Sequence, residues 1–76
     1  MEERLREIFC NVFDLEPEQV HDELSFESIE AWDSLGHVRM VTEMEAVFGV
    51  SFSLEDVMEM LTFGKIKEIC KRYGIE

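Results

Sequence analysis

Proline occurs once, at Pro17, glycine four times and cysteine twice in 76 residues, and seven basic side chains face eighteen acidic ones. Each shortage excludes something. Cys10 and Cys70 form neither a CxxC pair nor a zinc pattern, and each lies in an amphipathic segment where a buried thiol behaves as a small hydrophobe. A reduced, cytoplasmic setting is the simpler expectation. No apolar run approaches the length that crosses a bilayer, and the start Met1-Glu2-Glu3-Arg4 carries no apolar signal region, so neither membrane insertion nor secretion is expected. His21 and His37 stand alone, without a second ligand at helical spacing, so no transition-metal site is expected, and His37 reads as an edge residue and not a base. Asp22-Glu23 and Glu27-Glu30 lack the spacing and central glycine of a calcium loop and read as a solvated acidic face. Internal repeats, low-complexity segments and strand patterns are all missing.

What is present is enough for one compact domain spanning 1–76 with a modest core, but not for a second domain or a deep catalytic cleft. A chain of this size serves as the substrate or partner of larger proteins. Hydrophobic residues make up 46% and aromatics 11%, too apolar for a disordered acidic tail despite a formal charge of -11. The charge is uneven: Asp14 to Glu59 holds thirteen acids against the single base Arg39, whereas Lys65, Lys67, Lys71 and Arg72 make the C-terminal segment basic. Such a middle repels nucleic acid and anionic lipid and attracts proteins with basic surfaces. Charge alone fits simple solubility equally well.

The spacing of Leu5, Ile8, Phe9, Val12 and Phe13 predicts a first helix, with Glu2 and Glu3 where the helix dipole favours negative charge, ending before Pro17. Asp14 to Asp33 shows no sustained period. Its scattered hydrophobes Leu15, Val20, Leu24, Phe26, Ile29 and Trp32 suggest a long loop packed down onto the core. Asp33 is a good N-cap, and from Ser34 to Phe48 only Gly36 interrupts a helical run that Gly49 stops. Ser53, three residues before Asp56, opens a short third helix through about Met60 in a variant of the capping box. Thr62 caps a last helix with Phe63, Ile66, Ile69, Cys70 and Tyr73 on one face and Gly74 as its stop. The expected fold is all-α: a four-helix bundle with three longer helices, a short third helix and a long loop between the first two.

Placed at about 100° per residue, the second helix gathers Met40, Val41, Met44, Val47 and Phe48 on a core-facing side. Leu35 and Val38 fall away from that side, on a surface shared with Arg39, Thr42, Glu45 and Ala46. Displaced apolar residues edged by charge can anchor a partner. Periodicity alone leans towards packing against the long loop. Ser34 occupies the first turn, where unpaired backbone N–H groups and the dipole favour an anion such as a phosphate ester. In isolation, a serine there reads as a capping residue. Ser25 and Ser28 begin no convincing helix.

Trp32-Asp33-Ser34-Leu35, followed by Gly36-His37-Val38 and by Met44-Glu45-Ala46-Val47-Phe48-Gly49-Val50-Ser51-Phe52, resembles the Asp-Ser-Leu region and second helix of acyl carrier proteins. The first helix, the loop with spaced hydrophobes and the two last helices agree, so the similarity covers essentially the whole chain. Asp-Ser-Leu alone is a weak motif; its mid-chain place in an acidic, helical sequence of this size gives it weight. The resemblance implies that a carrier-protein synthase with Mg²⁺ transfers phosphopantetheine from coenzyme A to the Ser34 hydroxyl. The arm's thiol then holds an acyl group as a thioester. On this reading the chain is not an enzyme, and no acid, base and nucleophile set converges with a pocket. Asp33 matches the family's acid before the modified serine, expected to cap the helix, face the synthase and help bind metal there. Leu35 and Val38 fall at family positions that dock into partner enzymes, with Arg39, Thr42 and Glu45 on the same surface. The implied partners are the synthase, an acyl-loading ligase or transferase and downstream acyl-processing enzymes of fatty-acid, lipid or polyketide type, visited by a monomer.

The departures are informative. In the housekeeping fatty-acid carriers an acid usually follows Asp-Ser-Leu and the second helix is strongly acidic. Here Gly36 follows the motif, Arg39 stands at one expected acid and Ala46 at another. A reversed rim charge changes association rate and partner choice, which points to a specialised carrier with a dedicated ligase or transferase. Gly36 costs about 1 kcal/mol relative to Ala if it counts as helix interior and reads as tolerance at a helix end. Met40, Met44, Met58 and Met60 could line an adaptable cavity for an acyl chain, with ordinary core filling as the default. Two alternatives remain: an aminoacyl or peptidyl carrier using the same serine, and an acidic helical binding module with no prosthetic group.

Overall fold

Acid side chains at the start of a helix and a left-handed residue at its end bracket the first element, α1 (Glu2–Phe13), whose C-cap Asp14 has φ 55°. The computed structural model describes all 76 residues and contains three further helices: α2 (Ser34–Phe48), α3 (Leu54–Met58) and α4 (Phe63–Arg72). A single 3₁₀ turn, Pro17–Gln19, is the only helical piece of the α1–α2 connection. The expected caps form. Thr62 Oγ1 accepts from the Lys65 N–H at 3.0 Å, Ser53 Oγ from the Asp56 N–H at 3.2 Å, and Gly49 ends α2 with φ 66°. Asp56 does not reach back to close the capping box. Instead the Ser53 N–H donates to the Tyr73 hydroxyl at 2.9 Å, and that hydroxyl donates to Asp56 Oδ2 at 2.6 Å, so a side chain just past α4 completes it.

One continuous core fills the space between helices. Phe9 meets Phe13, Trp32 and Phe63 edge-on at centroid distances of 5.5, 5.2 and 5.1 Å, while Trp32 stacks on Phe13. Met40, Met44, Met60, Ile66, Ile69 and Cys70 are fully buried around this cluster. Burial pushes the Cys70 thiol up to about 11.

The loop is packed down as expected at Val20, Leu24 and Trp32, all buried, and at Leu15 and Ile29, half-buried. Its backbone is tied as well: Arg6 donates to the Val20 carbonyl from Nε and Nη2, and the N–H groups of Phe63 and Gly64 donate to Leu24 and Asp22 carbonyls at 2.9 and 3.0 Å. Asp22 also pairs with Lys67 at 2.7 Å. Phe26 departs from the expected set of anchors and is 45% exposed. There the loop runs beside the α3–α4 connection, Ser25 bridging Thr62 and the Phe26 N–H bonding Leu61 O, and the ring is left outside.

Three further expectations are corrected. Val47 lies at the core-facing angle of α2 yet is exposed, while the adjacent Phe48 packs against the core. The third helix stops at Met58, not near Met60: Leu61 N–H bonds back to Glu59 O and the chain turns inward, burying Met60. Met58 is no core methionine but is 67% exposed, since α3 buries none of its residues.

Candidate functional site

The start of α2 is built around the Asp33 cap. Asp33, in extended conformation, accepts the Gly36 N–H on Oδ1 at 2.8 Å, while its carbonyl accepts the His37 N–H at 2.8 Å. The cap satisfies these donors and leaves the N–H groups of Ser34 and Leu35 at the positive pole of a helix that has no acid in its first turn. Ser34 follows the cap directly and is exposed. Its hydroxyl enters none of the surrounding hydrogen bonds, which run from Asp33 to Gly36, from Trp32 to His37 and from His37 to Val57. Ser25 and Ser28, by contrast, are engaged in their own turn.

Gly36 is not a tolerated loosening of the helix end. A Cβ there would collide with the carbonyl oxygen of Ala31 and press on Phe13 Cε1 at 3.0 Å. The glycine lets the first turn of α2 sit against the loop backbone that delivers Asp33 and Ser34.

His37, expected as an edge residue, bridges two elements. The Trp32 indole N–H donates to its Nδ1 at 2.8 Å and Nε2 lies 2.8 Å from the Val57 carbonyl oxygen in α3. An indole nitrogen can only donate, so Nδ1 accepts and Nε2 carries the proton given to Val57. The imidazole also stacks on the Trp32 ring, with 15° between planes.

Trp32, Asp33, Ser34 and His37 form one side of an open groove of about 540 Å³, closed on the other by Phe26, Met58 and Leu61. Sequence reasoning singled out Ser34 and Asp33, which line this groove, but read its far wall differently, taking Phe26 as a loop anchor and Met58 as core filling and passing over Leu61. No signal in the sequence marks them, because helix α3 and its connection turn them outwards only through tertiary contacts.

The other residues singled out on α2 lie on the surface. Leu35 and Val38 are 69% and 58% exposed, so they do not pack against the loop as periodicity suggested. Val38, Arg39 and Thr42 line a second open groove of about 420 Å³ with Asn11 and Val12 of α1. Arg39 is exposed and unpaired; the chain's arginine and lysine ion pairs use Arg6, Lys67 and Arg72. Glu45 is set apart, half-buried, with Oε2 accepting the Phe52 N–H at 2.9 Å. No three His, Cys, Asp or Glu side chains gather as metal ligands, and no helix is long and apolar enough to cross a membrane.

A phosphate ester suits such a site: an exposed hydroxyl with no internal partner, two free backbone donors and an open groove into which a flexible arm can lie. The chain matches the phosphopantetheine attachment site family over residues 3–75. Members of this family hold a covalently attached phosphopantetheine and act as carriers for other enzymes without catalysing reactions themselves. The match therefore speaks against a binding module lacking a prosthetic group, and the chain belongs to the phosphopantetheine-binding carrier proteins.

Proposed function

We propose that Ser34 is the attachment residue and that the protein carries acyl groups as thioesters on the arm, as a specialised carrier serving a dedicated ligase or transferase. The observation that carries the reading is the position of Ser34, exposed, unbonded and immediately after the Asp33 cap at the helix start. In the loading step the Ser34 oxygen bonds to the pantetheine phosphorus of coenzyme A, the nucleotide phosphate leaves and the hydroxyl proton passes to the synthase. Asp33 holds the first turn in place for that step and would face the synthase, helping to hold its Mg²⁺. Leu35, Val38, Arg39, Thr42 and Glu45 form the face offered to partners, Glu45 with the one oxygen that Phe52 leaves free. A base at Arg39, where housekeeping fatty-acid carriers have an acid, supports a partner other than the general elongation enzymes. The protein works as a monomer in the cytoplasm, visiting these enzymes in turn. An aminoacyl cargo would use the same serine, and the loading ligase distinguishes the two.

The test is intact mass before and after incubation with coenzyme A, Mg²⁺ and a promiscuous carrier-protein synthase, beside the Ser34→Ala variant. The expected result is a gain of one phosphopantetheine in the parent and none in the variant. An unmodified parent that gains nothing while a control carrier is loaded would overturn the assignment.

A further inference from the structure

Helix α3 lies over the core without contributing a single buried side chain to it. Val57 alone packs half-buried against the core, and polar contacts supply the other fastenings. At its start, Ser53 and Asp56 are tied to Tyr73, and Arg72 reaches Asp56 at 3.3 Å. At its other end the bond from His37 Nε2 to the Val57 carbonyl joins it to α2. His37 is therefore the one side chain of α2 that hydrogen-bonds the last turn of α3, and it lines the groove three residues from Ser34.

Behind this lining there is no enclosed cavity. Trp32 is buried, stacked on Phe13 and edge-on to Phe9, and Met40, Met44 and Met60 are fully enclosed. Both cavities of the molecule are grooves open to solvent. A chain attached near Ser34 reaches the methionines only by parting α3 from α2. That movement breaks the Val57 bond and, once the imidazole swings, leaves the buried Trp32 N–H without its acceptor. The methionines themselves would adapt to an inserted chain, being flexible and polarizable, so the fastening and not the core's chemistry decides access.

We infer that His37 is a latch: by joining Trp32 to Val57 it keeps α3 closed over the core and confines the cargo to the open groove of Phe26, Met58 and Leu61, where it stays exposed to solvent and to partner enzymes. His37 is a positioning residue: it lines the groove but takes no part in the thioester chemistry, and the inference rests on the carrier reading above. A cargo held outside is handed over without first being withdrawn from the fold, and its length is not limited by a cavity.

The experiment loads acetyl and octanoyl arms from the corresponding coenzyme A thioesters onto the wild type, His37→Ala and His37→Gln, with intact mass verifying attachment. Amide and indole proton–nitrogen spectra and the rate of thioester cleavage by hydroxylamine are then recorded. In the wild type the octanoyl arm should shift Phe26, Met58 and Leu61 but not Met40, Met44 or the Trp32 indole, and cleavage of the two thioesters should differ by less than about twofold. In His37→Ala the octanoyl arm should perturb Met40 and Met44, and its thioester should be protected about fivefold or more relative to acetyl. Gln, able to accept from Trp32 and donate to Val57, should restore the wild-type pattern. Should the alanine variant not fold, His37→Leu, which makes neither bond but keeps a good helix former, takes its place with the same expectation. Shifts at Met40 and Met44 with protection in the wild type, or an unlatched variant as closed as the wild type, overturn the latch while leaving the carrier reading intact. Failure of the wild type to gain any arm overturns both.

Discussion

The Cα of Gly36 stands so near the carbonyl oxygen of Ala31 that no side chain fits between them. This contact sets the angle at which the loop enters α2 and hence where Asp33 and Ser34 sit. Helix propensity favours Gly36→Ala by about 1 kcal/mol, whereas a backbone oxygen cannot swing aside as a flexible side chain could. The clash should win, giving a net loss of about 2 kcal/mol or more in urea unfolding. A neutral or stabilised variant would show that the first turn can shift without cost.

Asp33 and Ser34 should separate stability from function. Asp33→Ala removes the acceptor of the Gly36 N–H and should cost about 1 kcal/mol. Ser34→Ala removes an exposed hydroxyl with no internal bond and should change unfolding by no more than about 0.5 kcal/mol while abolishing loading. The measurements are chemical denaturation of both variants and intact mass after synthase treatment.

The helices were legible in the sequence where local chemistry sets them: Asp33 and Thr62 as caps, Gly49 as a stop, and the apolar stripes of α1 and α4 each act within a few residues. Ser34 was legible through its motif and its place after a cap. The role of Gly36 was not, because the atom that forbids a side chain belongs to Ala31 across the loop junction. His37 looked like an edge residue because its second partner is a carbonyl twenty residues away. Phe26 and Met58 resembled core residues for a similar reason: hydrophobicity gives the tendency to be buried, but the packing of α3 decides which side chains are left to line a groove.

Tyr73 should matter more than a residue near the chain end usually does. Its hydroxyl accepts from Ser53 N–H and donates to Asp56, and this bond is the main cause holding the Asp56 carboxyl below its usual value of 3.8, against the opposing effect of burial. Tyr73→Phe should lower the melting temperature near neutral pH by about 4 °C or more. A carboxyl with a depressed folded value stabilises above its unfolded value and loses that contribution as pH falls through the folded one. The gap between wild type and variant should thus hold from neutral pH down to about 4 and narrow below it, leaving the part that comes from the Ser53 N–H bond. A gap independent of pH in acid would mean that the Asp56 bond contributes nothing.

Cys70 gives the opposite dependence at the alkaline end. Its thiol is raised by burial from 9.0 to about 11, so in the unfolded chain it ionises first. Stability from this group is unaffected below pH 9 and falls as pH rises towards 11. Cys70→Ala should flatten that fall while lowering stability at neutral pH through the cavity it leaves. At pH 8, alkylation of Cys70 should require unfolding, its rate at fixed reagent rising with denaturant along the denaturation curve.

Arg39 is where partner choice should be readable. It is exposed, makes no ion pair, and shares the groove between α1 and α2 with Val38, Thr42 and Glu43. A partner evolved for an acidic carrier helix presents bases there, and the guanidinium repels them in the encounter complex. Arg39→Glu should therefore raise the rate at which housekeeping fatty-acid elongation enzymes use the loaded protein, by about tenfold at low salt. Because the effect is one of exposed charges, it should shrink as ionic strength rises and the Debye length falls below the separation of the groups. The measurement is kcat/KM for carrier use across a salt series, with wild type and variant loaded identically. Equal rates at low salt would remove charge at this position as the reason for specialisation, and a wild type already used as well as the housekeeping carrier would remove the specialisation itself.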